Sequence, residues 1–301
     1  MPYADGCPTL AVGLAVGQPK GGAVATVVAT ARALVSRTPK PVQGSLSAWT
    51  RFLYGLSGVI ILVVIWDVVT QFWLTSNSEL ASPLEVARSL ASMARTGEMW
   101  VDCLLTLRAW AIGLAISFVI GVPVGLLLGS IETVWQALRP ALDFLRSVPG
   151  IALMPLALIL WGASLRSDIF LVVFGTVWIV IVQATYGVRS VDATALETAR
   201  SLRLSHVKTI LWVMLPSALP YLGTGLRIAS TGALTVAVSA ELLIGDPGLG
   251  NAIGVDQGYS QYTPMYALIV VTGVIGIVAH IATGAIERPL LRWRESQRGD
   301  S

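Results

Sequence analysis

The chain has 301 residues, of which 54% are apolar and only 12% charged, with a formal net charge of +3 and a mean hydropathy of +0.74. A soluble domain carries roughly 25% charged residues, so the composition excludes a water-soluble protein and requires backbone that satisfies its own polar groups in lipid, which helices do. The modest positive charge is spent on Lys and Arg beside the membrane, and no nucleic-acid partner is called for.

Residues 1–50 are rich in Gly, Ala, Val, Thr and Pro. No basic stretch precedes the apolar run Thr9 to Gly17, so a cleaved signal peptide is not expected. The segment Val24 to Val35 is interrupted by Arg32 and too short to span. A mobile cytoplasmic tail is the expectation for 1–50, followed by a transmembrane domain over 51–290 and a second cytoplasmic tail over 291–301.

Six apolar runs have the roughly 20-residue length that crosses bilayer hydrocarbon at about 1.5 Å per residue. They cover roughly 52–73, 104–129, 139–161, 167–188, 217–243 and 264–286. The fold class is therefore an all-α polytopic bundle of about six spans. Pro140, Arg146, Pro149, Gly150 and Pro155 interrupt the third run, which predicts a kinked or broken helix, and a count of five if it is re-entrant. Between the first two runs, Ser82-Pro83 followed by Val86, Leu90 and Met93 predicts a short amphipathic helix.

Basic residues set the orientation. With the N-terminus inside, Lys20, Arg32, Arg37, Lys40, Arg51, Arg139, Arg146, Arg189, Arg200, Arg203, Lys208, Arg288, Arg292, Arg294 and Arg298 are cytoplasmic, against Arg88, Arg95 and Arg166 outside. Both termini are thus expected in the cytoplasm. Cys7 and Cys103 then fall on opposite sides, so no disulfide is expected, and no Cys/His cluster suggests a metal.

In the second run Gly113, Ser117, Gly121, Gly125 and Gly129 recur every fourth residue and stack on one side of a helix, a groove in which a neighbouring backbone approaches closely. The sixth run repeats this with Thr272, Gly276, His280 and Gly284, so His280 is expected to face protein. Ionisable groups at membrane depth are expensive and face a cavity or a partner. Asp67, Arg108, Arg227 and Glu241 are the candidates. Arg227 is either a positive charge beside the path of an anionic solute or a structural tie, and Asp67 and Arg108 either pair or reach water. Glu241 and the break at Pro149 and Pro155 are further candidates for the translocation pathway.

A polar island separates the fourth and fifth runs, over 189–216. Asp192 is a good helix N-cap, Thr194 with Glu197 offers an alternative capping box, and Ser205 begins a second short helix, giving a compact knob. Its pattern is Glu197-Thr198-Ala199, three residues, Arg203, nine residues, then Val213-Met214-Leu215-Pro216. It resembles the E-A-A-x3-G-x9-I-x-L-P coupling loop by which membrane subunits of ATP-binding-cassette importers dock on a separate ATPase. Leu145 to Leu156, Gly187 to Asp192, Ala240 to Leu243 and Gly248 to Gly250 are similar to the subgroup serving nitrate, alkanesulfonates and taurine, and the likeness covers roughly 80–290.

That resemblance implies a type I importer permease in the bacterial cytoplasmic membrane and a homodimer with its pathway on the two-fold axis. It also implies an ATPase subunit bound through Asp192, Glu197, Thr198, Ala199, Arg203, Val213, Leu215 and Pro216, and an extracytoplasmic solute-binding protein. No G-x4-G-K-[ST] phosphate loop occurs in the sequence, so no cofactor is expected in this chain and ATP would be used by the partner. Thr198 replaces the family's Ala, and Arg203 replaces a Gly that permits a left-handed turn. Arg203 implies either a different bend or an added contact. The rival reading is an ion-coupled secondary transporter, which would leave the knob idle and wants an internal repeat that the halves do not show.

Overall fold

The computed structural model describes residues 48–73 and 79–295, and of the expected tails over 1–50 and 291–301, residues 1–47 and 296–301 lie outside the described residues. The chain divides into two compact units, 1–61 and 62–301. Of the first, the described part is the start of helix α1 (Ala48–Trp73). Every regular element among the described residues is helical.

In the second unit, α2 (Pro83–Thr96) is the predicted amphipathic helix. Ser82 caps it, and the reciprocal bonds of Ser82 and Glu85 close a capping box. The Ser82 backbone N–H, and then its hydroxyl, hold the Glu85 carboxyl below its usual range. Val86 is buried and Leu90 and Met93 pack beside it. Gly97, left-handed at φ 84°, turns the chain into α3 (Glu98–Ser130).

The interrupted third run forms α4 (Glu132–Ser147), a 3-10 turn over Gly150–Leu153 and α5 (Met154–Trp161), with the two halves bent by 80°. Pro149 opens the turn and Pro155 starts α5 where a missing N–H costs nothing. Gly150 rests on Gly175, backbone to backbone, and a Cβ there would lie 3.0 Å from the Gly175 Cα. The run is a broken span or a re-entrant loop, and five other rods are long and apolar enough to cross a membrane.

Helix α6 (Leu165–Arg189) leads to α7 (Ala193–Ser201), after which α8 (His206–Thr209), a π-helical turn over Ile210–Met214 and α9 (Leu215–Ile244) run on as one rod. The second short helix expected at Ser205 is therefore the lower end of the fifth span. At 39 residues the rod is about 58 Å long, nearly twice the hydrocarbon thickness. The π turn has a local cause: Pro216 has no N–H and crowds the carbonyl four residues back, so Leu215 N–H reaches Ile210 instead. Helices α10 (Leu249–Gly258) and α11 (Tyr262–Glu295) complete the chain.

The core is α6 held between α3 and α9, with Val172, Val180, Ala229, Ala233 and Ala237 fully buried. The α3 ridge meets a matching period on α6: Ser117 bonds Thr176 at 2.7 Å, and a Cβ on Gly121, Gly125 or Gly129 would come within 2.8, 2.5 and 2.7 Å of the Cβ of Val180, Ala184 and Val188. Gly113 faces Val172 in the same register. On α11, Gly276 packs on Leu234, but His280 is exposed, contrary to expectation. Ala279 and Thr283 carry the buried seam at that level and turn the imidazole outward.

Candidate functional site

The knob over 189–216 is built by local hydrogen bonding. Asp192, not the Thr194 pair, caps α7 by accepting from the Thr194 N–H at 3.0 Å. At the other end, Leu204 N–H reaches Ala199 O at 3.0 Å and Arg203 N–H reaches Arg200 O at 2.9 Å. These are the two bonds of a Schellman turn, which puts the residue between them in the left-handed region. That residue is Arg203, at φ 49°. The bend a glycine would make is thus kept by an arginine.

Ala199 is buried, whereas Asp192, Glu197, Thr198 and Arg203 are exposed. Val213, Leu215 and Pro216 are half-buried, and Leu215 with Ile210 and Met214 packs on Leu126, Val188 and Ala218, fastening the knob to the bundle. Leu202 and Val207, at 69% and 65% exposure, add apolar surface to the outer side that the motif alone did not single out. In the helically spaced run Val207, Ile210, Leu211, Met214, Ile210 and Met214 turn inward and Val207 and Leu211 outward.

Of the four intramembrane charges, Arg227 and Glu241 are held across helices. Arg227 on α9 pairs with Glu287 on α11, whose second oxygen accepts from Thr224 Oγ1 at 3.2 Å. Glu241 is fully buried and accepts from Thr106 Oγ1 at 2.8 Å and from Gly250 N–H at 3.0 Å, while Thr106 accepts from Leu249 N–H at 2.9 Å. One carboxylate so joins α3, α9 and the first turn of α10, whose free N–H groups suit a negative charge. Gly248 is packed directly against the Glu241 carboxyl. Asp67 accepts from Gln71 at 2.7 Å, and Arg108 lines a small cavity with Asp168 and Asp246.

Pro149 and Pro155 are exposed at the bend between α4 and α5. Beside it, α9 turns Ile228, Thr231 and Thr235 outward along one stripe, at helical spacing. The hydroxyls of Thr231 and Thr235 donate to the carbonyls of Arg227 and Thr231, at 3.3 and 3.1 Å, which makes them tolerable at membrane depth. Their spacing in the sequence was a readable signal that charge-based reasoning passed over.

The arrangement is one of a packed helical scaffold that presents a rigid knob at one end and a broken helix along one side. The model of the family described as binding-protein-dependent transport system inner membrane component matches residues 121–292, more than half of the chain. The chain belongs to this family. The permease is 29% identical over 248 residues to the putative aliphatic sulfonates transport permease protein SsuC of Bacillus subtilis, covering 82% of this chain and 90% of that protein. It is also 29% identical to the taurine transport system permease protein TauC of Escherichia coli, covering 87% and 94%. Among solved structures, the permease superposes on a chain of the inward-facing MetNI methionine ABC transporter with a TM-score of 0.58, 22% identity, and coverage of 64% of this chain and 96% of that one. This last likeness speaks to the fold.

Proposed function

We propose that the chain is the permease subunit of an ATP-binding-cassette importer, docked through its 189–216 knob on a separate ATPase that uses the ATP. The observation that carries the coupling assignment is the Schellman turn at Arg203: the bend is retained although its residue is not glycine, and Glu197, Leu202, Arg203 and Val207 on either side of it are all exposed. Closure of two ATPases would move two such knobs, and the long continuous rod His206–Ile244 would transmit that motion into the membrane.

Two copies would enclose the route, with an extracytoplasmic binding protein at the end opposite the knob and both termini in the cytoplasm. The solute is a small anion of the sulfonate, taurine or nitrate kind, a reading supported by what the relatives are named for. ATP-driven uptake of ethanesulfonate, taurine and nitrate into liposomes holding the permease, its ATPase and the binding protein tests this. Accumulation of one of them that needs both ATP and the binding protein is expected. Accumulation driven by an ion gradient without ATP would overturn it.

A further inference from the structure

Helix α4 is a rod joined to its neighbours through extended residues. At its start Ile131 (φ −121°, ψ 103°) separates it from α3, and at its end Val148 and Pro149 are extended before the bend. We propose that Glu132 and Arg189 are positioning residues for the transport step, an ion pair through which movement of the knob turns α4 and so resets the broken span. The assignment rests on the permease reading and specifies how motion of the knob reaches α4.

The Glu132 carboxylate is gripped at both oxygens. One accepts from Arg189 Nη1 at 2.5 Å and the other from Gln136 Nε2 at 2.8 Å. The Arg189 guanidinium also lies over the Trp135 ring, 5.6 Å from its centroid, and Tyr186 stands edge-on to the same ring at 6.3 Å. The start of α4 thus holds the last turn of α6. Along the rest of its length α4 is loosely held: it buries Trp135 and Leu142 and leaves its other side chains partly or wholly exposed.

Toward the knob there is no slack. Ser190 and Val191 separate Arg189 from the Asp192 cap of α7, and both fold back on α6. Ser190 N–H donates to Tyr186 O at 3.0 Å, Ser190 Oγ to Gly187 O at 2.8 Å and Val191 N–H to Val188 O at 3.3 Å. A displacement of α7 therefore arrives at Arg189. Room for that displacement exists in a cleft of about 470 Å³, lined by Leu196, Arg200 and His206 of the knob and by Gly129, Glu132 and Val188 of the bundle.

The point of attachment suits a lever. Glu132 is next to the Ile131 joint, and the 16 residues of α4 make a rod about 24 Å long, so a small shift at Glu132 becomes a larger one at Ser147 and the bend. Beyond the bend Gly150 rests on Gly175 of α6, which gives the far end a fixed point. Turning α4 then changes the angle of the bend. The pair adds little to stability, because Glu132 is 57% and Arg189 31% exposed and exposed ion pairs are weak.

The test uses the complex purified with its ATPase and placed in lipid nanodiscs, on a Cys7→Ser and Cys103→Ala background that carries Ser147→Cys, an exposed position at the end of α4. The rate at which a maleimide fluorophore reacts there is compared without nucleotide and with ATP and vanadate. A change of about fivefold or more is expected, the low end of coupling between distant sites. Glu132→Gln should abolish that change while leaving Tm and the ATPase rate as they were, and Glu132→Arg combined with Arg189→Glu should restore at least part of it. No change in the parent protein, the same change in Glu132→Gln, or no recovery in the charge swap overturns the proposal. Where Glu132→Gln loses its thermal stability, the charge swap alone decides, a recovered response supporting the tie and an absent one refuting it. A preparation that holds its ATPase yet gives a refuting result rejects the tie alone, whereas one that holds no ATPase rejects the permease reading beneath it.

Discussion

The Arg227 guanidinium on α9 stands 2.5 Å from the Glu287 carboxylate on α11, in a space that two glycines keep open. A Cβ on Gly223 would lie 2.7 Å from Glu287 Cγ, and one on Gly284 would lie 3.0 Å from an Arg227 nitrogen. The helices approach closely at this level because the ion pair replaces apolar side chains as their contact. Arg227 is 40% exposed and Glu287 9%, so the carboxylate is the more dependent partner.

Removing that partner leaves a charge at membrane depth. Glu287→Gln is expected to destabilise the permease by about 1–3 kcal/mol, below the value for a fully buried pair because Arg227 keeps some exposure. Arg227→Gln should cost more, since it leaves the more buried carboxylate unpaired, and the double variant less than the sum. A double-mutant cycle on thermal stability in nanodiscs checks this, and additive losses would show that the two groups do not interact.

Arg203 occupies a left-handed backbone that costs a non-glycine residue of order 1 kcal/mol. Arg203→Gly is therefore expected to stabilise the knob slightly and leave coupling intact, and Arg203→Val to disrupt both. Hydrogen exchange of the Leu202 and Leu204 amides before and after substitution reads the effect directly. Faster exchange in the glycine variant would contradict it.

The α3–α6 seam tolerates no side chain at its centre. A Cβ at Gly125 would be 2.5 Å from Ala184 Cβ and 2.6 Å from the Ile181 carbonyl, and backbone has no flexible end to yield. Gly125→Ala should cost about 1–3 kcal/mol or more, whereas Gly273→Ala on α11, with nothing within 4 Å, should be neutral or mildly stabilising. Comparable melting temperatures for the two would refute close packing at the seam.

The Glu241 tie predicts a local effect. Thr106→Val removes one donor to the carboxylate and one acceptor for Leu249 N–H, so the first turn of α10 should exchange its amides roughly tenfold or more faster, for a loss of about 1–3 kcal/mol. Unchanged protection over 249–253 would show that α10 is held by other means.

These cases show what the sequence disclosed. The glycine ridge was legible because its fourfold spacing lies within one helix, and the broken third span because Pro149, Gly150 and Pro155 act locally. The partner of Arg227 was not, since Glu287 is distant in the chain and no local rule pairs them. Helix α10 was hidden because it starts on Gly248-Leu249-Gly250 with no local cap, and the acceptor for the Gly250 N–H, Glu241, comes from α9. His280 was misplaced because at its level the buried seam is carried by Ala279 and Thr283, although Gly284 one step further does face Arg227. The tie of Glu132 to Arg189 joins residues 57 apart in the chain and left no pattern in either helix.

The central claim is that the knob binds a motor. Mass spectrometry of everything that copurifies with the tagged chain from its native membrane in mild detergent tests it most directly. The account predicts an ATPase subunit at one-to-one stoichiometry, lost from Glu197→Arg while that variant keeps its thermal stability. A homo-oligomer free of ATPase under gentle extraction, or an ATPase retained undiminished by Glu197→Arg, would contradict it.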